Sequence, residues 1–243
     1  MHYLKRKRVI SWALYDWANS AFATTVMAGF FPLFFKSFWA ADLSPAESTA
    51  VIGTTNSLAG LLIVLLAPFL GAYSDLGKFK KKFLAFFALL GVLSTGYLYF
   101  IPQGDWVIAA SLYALAVIGF SGGNIFYDSL IASVSKQDQR NKVSSLGFSL
   151  GYLGGGLLFV INVLMYLNPA WFGLSSQSEA ILWSFVSVAV WWAVFSLPLF
   201  MSVEEKSNAE ISKGLFETIT EAFKAVASTL REIKKHKRVA IFL

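Results

Sequence analysis

Residues Ser11–Trp39 read SWALYDWANSAFATTVMAGFFPLFFKSFW, and their reading decides the fold. The stretch is long enough to cross a bilayer, since a helix rises about 1.5 Å per residue and needs roughly 20 residues for the hydrocarbon. Asp16 and Asn19 sit inside this otherwise apolar sequence. With the cluster Lys5-Arg6-Lys7-Arg8 at the headgroups, Asp16 lies about 10 Å deep and Asn19 near the midplane. An ionisable group at that depth is costly unless it faces protein or water, so it marks a functional site by default. The rest of the chain is read for the partner that this carboxylate finds.

Composition agrees with a membrane protein. Of 243 residues, 56% are hydrophobic and 14% charged, against about 25% charged in soluble domains. The net charge of +6 does not indicate nucleic acid, because the basic residues cluster between apolar spans with no base-stacking pattern. Cysteine is absent, and the two histidines, His2 and His236, fall outside the spans. Thiolate chemistry, cysteine metal sites and a histidine triad or metal centre inside the membrane are thereby excluded. No metal or other cofactor is expected. The first span has the basic start of a signal peptide, but it is too long and carries Asp16 and Asn19, so it is read as retained.

Six spans follow from length and hydropathy: Ser11–Trp39 with a kink at Pro32, Val51–Tyr73, Phe83–Ile101, Trp106–Val134, Val143–Leu167 and Ala180–Met201. Backbone groups in lipid must be satisfied internally, and no alternating barrel strands occur, so the spans are helices and the fold is all-α. Nineteen of the twenty Lys and Arg residues fall on one side of this arrangement. The positive-inside rule places the N-terminus and the tail in the cytoplasm. Lys36, the exception, reads as a snorkelling anchor, with an outer gate as the alternative.

The expected domain layout is a six-span bundle over residues 1–201, a cytoplasmic loop over 202–238 and a fragment of a seventh span over 239–243. In the loop, Ile211, Leu215, Ile219, Phe223, Val226, Leu230 and Ile233 recur at helical spacing. That pattern predicts an amphipathic helix on the membrane or on the ends of the spans. Its acidic residues disfavour a calmodulin-type target. The final run VAIFL is too short to span anything and reads as a seventh span cut off.

Between spans two and three the chain reads GAYSDLGKFKKKF, with Gly71, Asp75, Gly77, Lys78 and Lys80. Glycine admits close helix approach, and an aspartate at a helix end can pair with a neighbouring helix or a lysine. The loop is therefore expected to latch one conformation; the alternative is a solvated basic loop. This glycine–aspartate–glycine–basic order resembles the signature loop of the major facilitator superfamily, with departures at Leu76, where a basic residue is usual, and at Gly77, one place early. WALYDWANSAF in span one, FYDSLIASVS in span four and SSLGFSLGYLGGG in span five resemble its vacuole-effluxer-like branch. The resemblance covers essentially the whole chain. It implies an N-terminal half of a twelve-span transporter, a missing C-terminal six-span half as partner, amino-acid efflux, and spans one and four lining a central cavity.

Span four carries Asn124, Tyr127 and Asp128. Counting from Lys136, Asp128 lies about 12 Å deep and Asn124 about 18 Å. In spans one and four the asparagine and aspartate are three or four residues apart, on one helix face. The reversed order suits an inverted three-plus-three repeat, whose sites gather near the midplane. Asp16, Asn19, Asn124, Tyr127, Asp128 and, beside them, Tyr152 are the candidate substrate- or ion-binding residues. Two such carboxylates can hold a proton, a cation or an amine; the alternative is that each fixes packing. In span five, Gly147, Gly151 and Gly155 recur every four residues, with Gly154 and Gly156 beside them. This reads as a helix-packing face rather than a nucleotide loop. Asn56 and Asn162 read as interhelical hydrogen-bonding groups.

The expectation is a non-enzymatic secondary transporter of a small solute, driven by an ion or solute gradient and embedded in a lipid bilayer. Compact loops favour a bacterial inner membrane over a vacuolar one. Two alternatives are a non-transporting half protein that associates with membrane partners and, lower in rank, an intramembrane aspartyl protease. The protease lacks the Gly-x-Gly-Asp element such enzymes carry.

Overall fold

The computed structural model describes residues 2–75 and 79–205, together with Thr220 and Lys224. Six helical segments are long and apolar enough to cross a membrane. Span one runs Arg6–Trp39. Span two is Pro45–Asp75, and span three Lys80–Tyr97 with a 3-10 turn, Leu98–Phe100. Span four is Trp106–Ser129, followed by the short helix Ile131–Val134. Span five is Arg140–Leu167 and span six Gln177–Ser202. No strand occurs among the described residues.

Spans two and six begin earlier than hydropathy alone predicts, and the sequence gives the reason. Ser44 and Glu47 exchange side-chain bonds with each other's backbone N–H (2.9 and 3.3 Å). At span six, Ser176 Oγ accepts from the Glu179 N–H at 3.1 Å. Both are polar caps that satisfy first-turn donors, so the helix starts at the cap and not at the first apolar residue.

The break expected at Pro32 takes the form of a change in winding. Span one is α-helical to Ala21, π-helical over Phe22–Phe30, α-helical over Phe31–Phe34 and π-helical again over Phe35–Trp39. The Phe31 N–H reaches back five residues to the Val26 carbonyl, and Ala40 does the same to Phe35 at 2.7 Å. Proline offers no N–H and crowds the preceding turn; the wide winding stands immediately before it.

Span one packs on spans five and six, and span four on spans two and three, while spans three and six pack on each other. Exchanging the first three spans for the last three maps the pairs of span one onto those of span four and the three–six pair onto itself, as a three-plus-three repeat requires. The core has two aromatic parts. At the basic end it contains Trp12, Tyr15, Leu84, Phe87, Phe126 and Tyr127. At the opposite end it contains Phe31, Phe34, Trp39, Tyr113 and Phe185, with Trp39 Nε1 donating to the Ile101 carbonyl at 3.1 Å.

Glycines set how closely the spans approach. A Cβ on Gly155 would lie 2.8 Å from the Ser20 carbonyl oxygen, so spans one and five touch backbone to backbone. A Cβ on Gly119 of span four would run into the backbone of Gly91 in span three. On span four Gly119 stands four residues before Gly123, a spacing that sequence reading passed over. Gly156, by contrast, faces open space.

Past span six, Thr220 and Lys224 are helical and exposed. The remainder of the expected amphipathic helix, and the VAIFL run, lie outside the described residues.

Candidate functional site

Spans one and four meet through one polar contact. Asn19 Nδ2 donates to Asn124 Oδ1 at 2.6 Å, across 105 residues of sequence. Asn19 is buried and its own Oδ1 has no hydrogen-bond partner among the described residues. One turn before Asn19, the half-buried Asp16 accepts from Ser20 Oγ at 3.2 Å. Asp16 faces span five and not lipid: a Cβ on Gly151 would stand 3.0 Å from its Oδ1 and 2.7 Å from Ser20 Oγ. Asp128, at the end of span four, is exposed and within electrostatic range of Asp16. Asp16, Asn19 and Asn124 are therefore brought together at the junction of spans one, four and five, with Asp128 one turn beyond Asn124 on span four.

Tyr127 is placed otherwise than the cavity reading expects. Its ring is buried and stacked on Trp12 (4.4 Å, 10°), with Tyr15 5.1 Å away on a tilt. Trp12 Nε1 donates to the Tyr127 carbonyl at 2.9 Å. The hydroxyls of Tyr127 and Tyr15 have no hydrogen-bond partner among the described residues. Tyr127 is thus a wedge behind Asp16, its hydroxyl turned toward Gly147 (2.8 Å from a Cβ placed there). Sequence reading missed Trp12 and Tyr15 as its neighbours, because ring stacking between spans leaves no trace in periodicity. Tyr152 is 79% exposed. It projects away from the buried Gly147–Gly151–Gly155 stripe and joins none of the four polar residues.

The expected gating loop is only partly in view. Gly77 and Lys78 lie outside the described residues; Asp75 closes the helix of span two and Lys80 opens that of span three. A Cβ on Gly71 would meet no atom within 4 Å among the described residues. A clasp that sequence reading missed lies nearby. Lys81 Nζ donates to the Phe200 and Val203 carbonyls, both at 2.7 Å, at the end of span six. The Lys81 backbone N–H donates to Glu205 Oε1 at 2.5 Å, and Arg8 pairs with Glu204 at 2.6 Å. A cation over the unpaired carbonyls of a helix C-terminus is favourable on both dipole and hydrogen-bond grounds.

Asn162 accepts from Ser187 of span six at 3.0 Å, an interhelical bond. Asn56 lies beside Tyr113 of span four.

These features define a helical bundle of the major-facilitator type, built around a polar junction of its first and fourth spans. Its fold is similar to that of the proton:xylose symporter XylE bound to 6-bromo-6-deoxy-D-glucose, with TM-score 0.57 at 16% identity over 98% of this chain and 55% of that one. The inward-open xylose transporter XylE from E. coli gives TM-score 0.55 at 15% identity, over 97% and 56%. The family described as "Vacuole effluxer Atg22 like" matches residues 44–243, and the chain belongs to it. It is 36% identical over 239 residues to the uncharacterized MFS-type transporter YxiO of Bacillus subtilis (strain 168), covering 98% of this chain and 55% of the relative. It is 20% identical over 264 residues to autophagy-related protein 22 of Yarrowia lipolytica, covering 78% and 44%. The chain spans about half the length of the curated relatives it matches. It is a multi-pass membrane protein.

Proposed function

We propose that this chain supplies one half of a secondary transporter that moves a small solute by alternating access, with Asp16, Asn19, Asn124 and Asp128 forming its wall of the binding crevice. The observation that carries the reading is the Asn19–Asn124 bond. It joins the two spans at a polar point from which the half-buried Asp16 and the exposed Asp128 both extend. Neither carboxylate has a salt-bridge partner among the described residues, so each offers negative charge to a proton, a cation or a substrate amine. Amino acids are the substrate class, on the strength of the family. The second six-span half, from the same polypeptide or a partner, closes the crevice. The N-terminus is cytoplasmic, and the segment Gly71–Lys80 with its Asp75, Gly77 and Lys78 serves as the conformational latch. No covalent chemistry is assigned to the aspartates.

The test is counterflow of a radiolabelled amino-acid mixture in proteoliposomes of the complete polypeptide. Asp16→Asn abolishes counterflow and leaves membrane insertion intact. Full activity in that variant removes Asp16 from the mechanism and the proposal with it.

A further inference from the structure

A groove of about 780 Å³ runs between spans five and six. Leu158 and Met165 of span five form its back, and Trp183 and Val190 of span six its rim. Its floor is sealed by Trp191, which stacks on Trp17 of span one at 5.6 Å and donates its indole N–H to the Trp17 carbonyl at 3.2 Å. From Glu179 to Phe195 the lining extends about 24 Å at helical rise, longer than the roughly 15 Å hydrocarbon depth of one leaflet.

Two polar side chains border the groove. The Ser187 hydroxyl is committed to Asn162 Oδ1 at 3.0 Å and to the Ser184 carbonyl at 2.8 Å. Glu179 stands at the mouth, on the first turn of span six. Its Oε2 accepts the Ser175 N–H at 2.8 Å, and its charge has no ion pair among the described residues. Phe172, exposed, lines that mouth, where aromatic side chains settle at headgroup level.

We infer that this groove is a phospholipid site: one acyl chain lies along it, and Glu179 holds an ammonium headgroup that carries N–H donors, as in phosphatidylethanolamine. A hydrocarbon trough inside membrane-spanning helices excludes water-soluble occupants, and a carboxylate at its mouth repels an anionic headgroup. A quaternary ammonium brings charge but no N–H to donate, so phosphatidylcholine ranks between the ethanolamine and glycerol lipids.

The complete polypeptide, reconstituted in equal parts of phosphatidylethanolamine, phosphatidylcholine and phosphatidylglycerol, is released into native mass spectrometry and its retained lipid counted by class. The wild type retains the ethanolamine lipid about three- to five-fold over the glycerol lipid, the scale an interfacial ion pair confers. Glu179→Gln keeps the helix cap, since glutamine serves there as well, and brings the ratio to about one with the lipid count unchanged. Val190→Trp fills the trough and removes one retained lipid while the protein stays folded by circular dichroism. Equal retention of the ethanolamine and glycerol lipids by the wild type, or an unchanged count in folded Val190→Trp, overturns the inference. So does protection of a Val190→Cys thiol from a lipid-soluble reagent in lipid-stripped protein, because protein then covers the groove.

Discussion

Substituting alanine in turn at Gly151, Gly155 and Gly156 separates packing from site chemistry within six residues of span five. At Gly155 the new methyl would stand 2.8 Å from the Ser20 carbonyl oxygen and 3.0 Å from its carbon. Those atoms belong to a helix backbone, so no side-chain rotation relieves the contact. Overpacking of this kind costs about 1–3 kcal/mol, offset by about 0.5–1 kcal/mol of helix preference for alanine over glycine. A net loss of about 1–2 kcal/mol follows. At Gly156 nothing lies within 4 Å among the described residues, so Gly156→Ala keeps only the gain, about 0.5–1 kcal/mol. The two variants therefore differ by about 1.5–3 kcal/mol in opposite directions. At Gly151 the methyl meets the ends of Ser20 and Asp16, at 2.7 and 3.0 Å, which can swing aside. Gly151→Ala thus loses less stability than Gly155→Ala but displaces the carboxylate, and its transport falls further than its stability. Reversible unfolding in mixed micelles reads the first quantity and counterflow the second. Equal stability of the Gly155 and Gly156 variants would refute the close approach of spans one and five on which the placement of Asp16 depends.

Four further outcomes are expected. A double-mutant cycle on Asn19→Ala and Asn124→Ala gives a coupling of about 0.6 kcal/mol, and no more than about 1.7, the range for interhelical bonds in bilayers; no measurable coupling in micelle unfolding separates the two side chains. Lys81→Met destabilises by about 1 kcal/mol, because two carbonyls at the end of span six lose their donor. Glu204→Gln, which breaks a solvent-exposed pair with Arg8, costs under about 0.5 kcal/mol and the loss vanishes in high salt; a larger effect than Lys81→Met inverts this ranking. Gly119→Ala, which drives a methyl into the Gly91 backbone, destabilises by at least as much as Gly155→Ala in the same unfolding assay.

The spans were readable because length and hydropathy are local properties. Their starts were less so: Pro45 and Gln177 are set by Ser44 and Ser176, polar residues that a hydropathy window discounts. The meeting of Asn19 and Asn124 was legible from depth, since an amide in hydrocarbon needs a partner and only one other span offered one at that level. The company kept by Asp16 was not. Its contacts are Ser20 and the bare backbone at Gly151, and a glycine stripe announces close packing without saying which helix fills it. Tyr127 misled for a related reason. A tyrosine beside an aspartate reads as a cavity pair, yet Trp12 closes over its ring, and only the register between spans one and four fixes that.

The two winding patterns of span one change how its surface must be numbered. Up to Ala21 side chains return to the same azimuth every 3.6 residues; over Phe22–Phe30 and Phe35–Trp39, where the bonds reach back five, the return takes longer. A helical wheel drawn straight through the segment accumulates error with every residue past Phe22, and by Lys36 it points to the wrong side of the bundle. Cysteine-accessibility scanning of this span will therefore show one repeat in its first half and a slower one in its second.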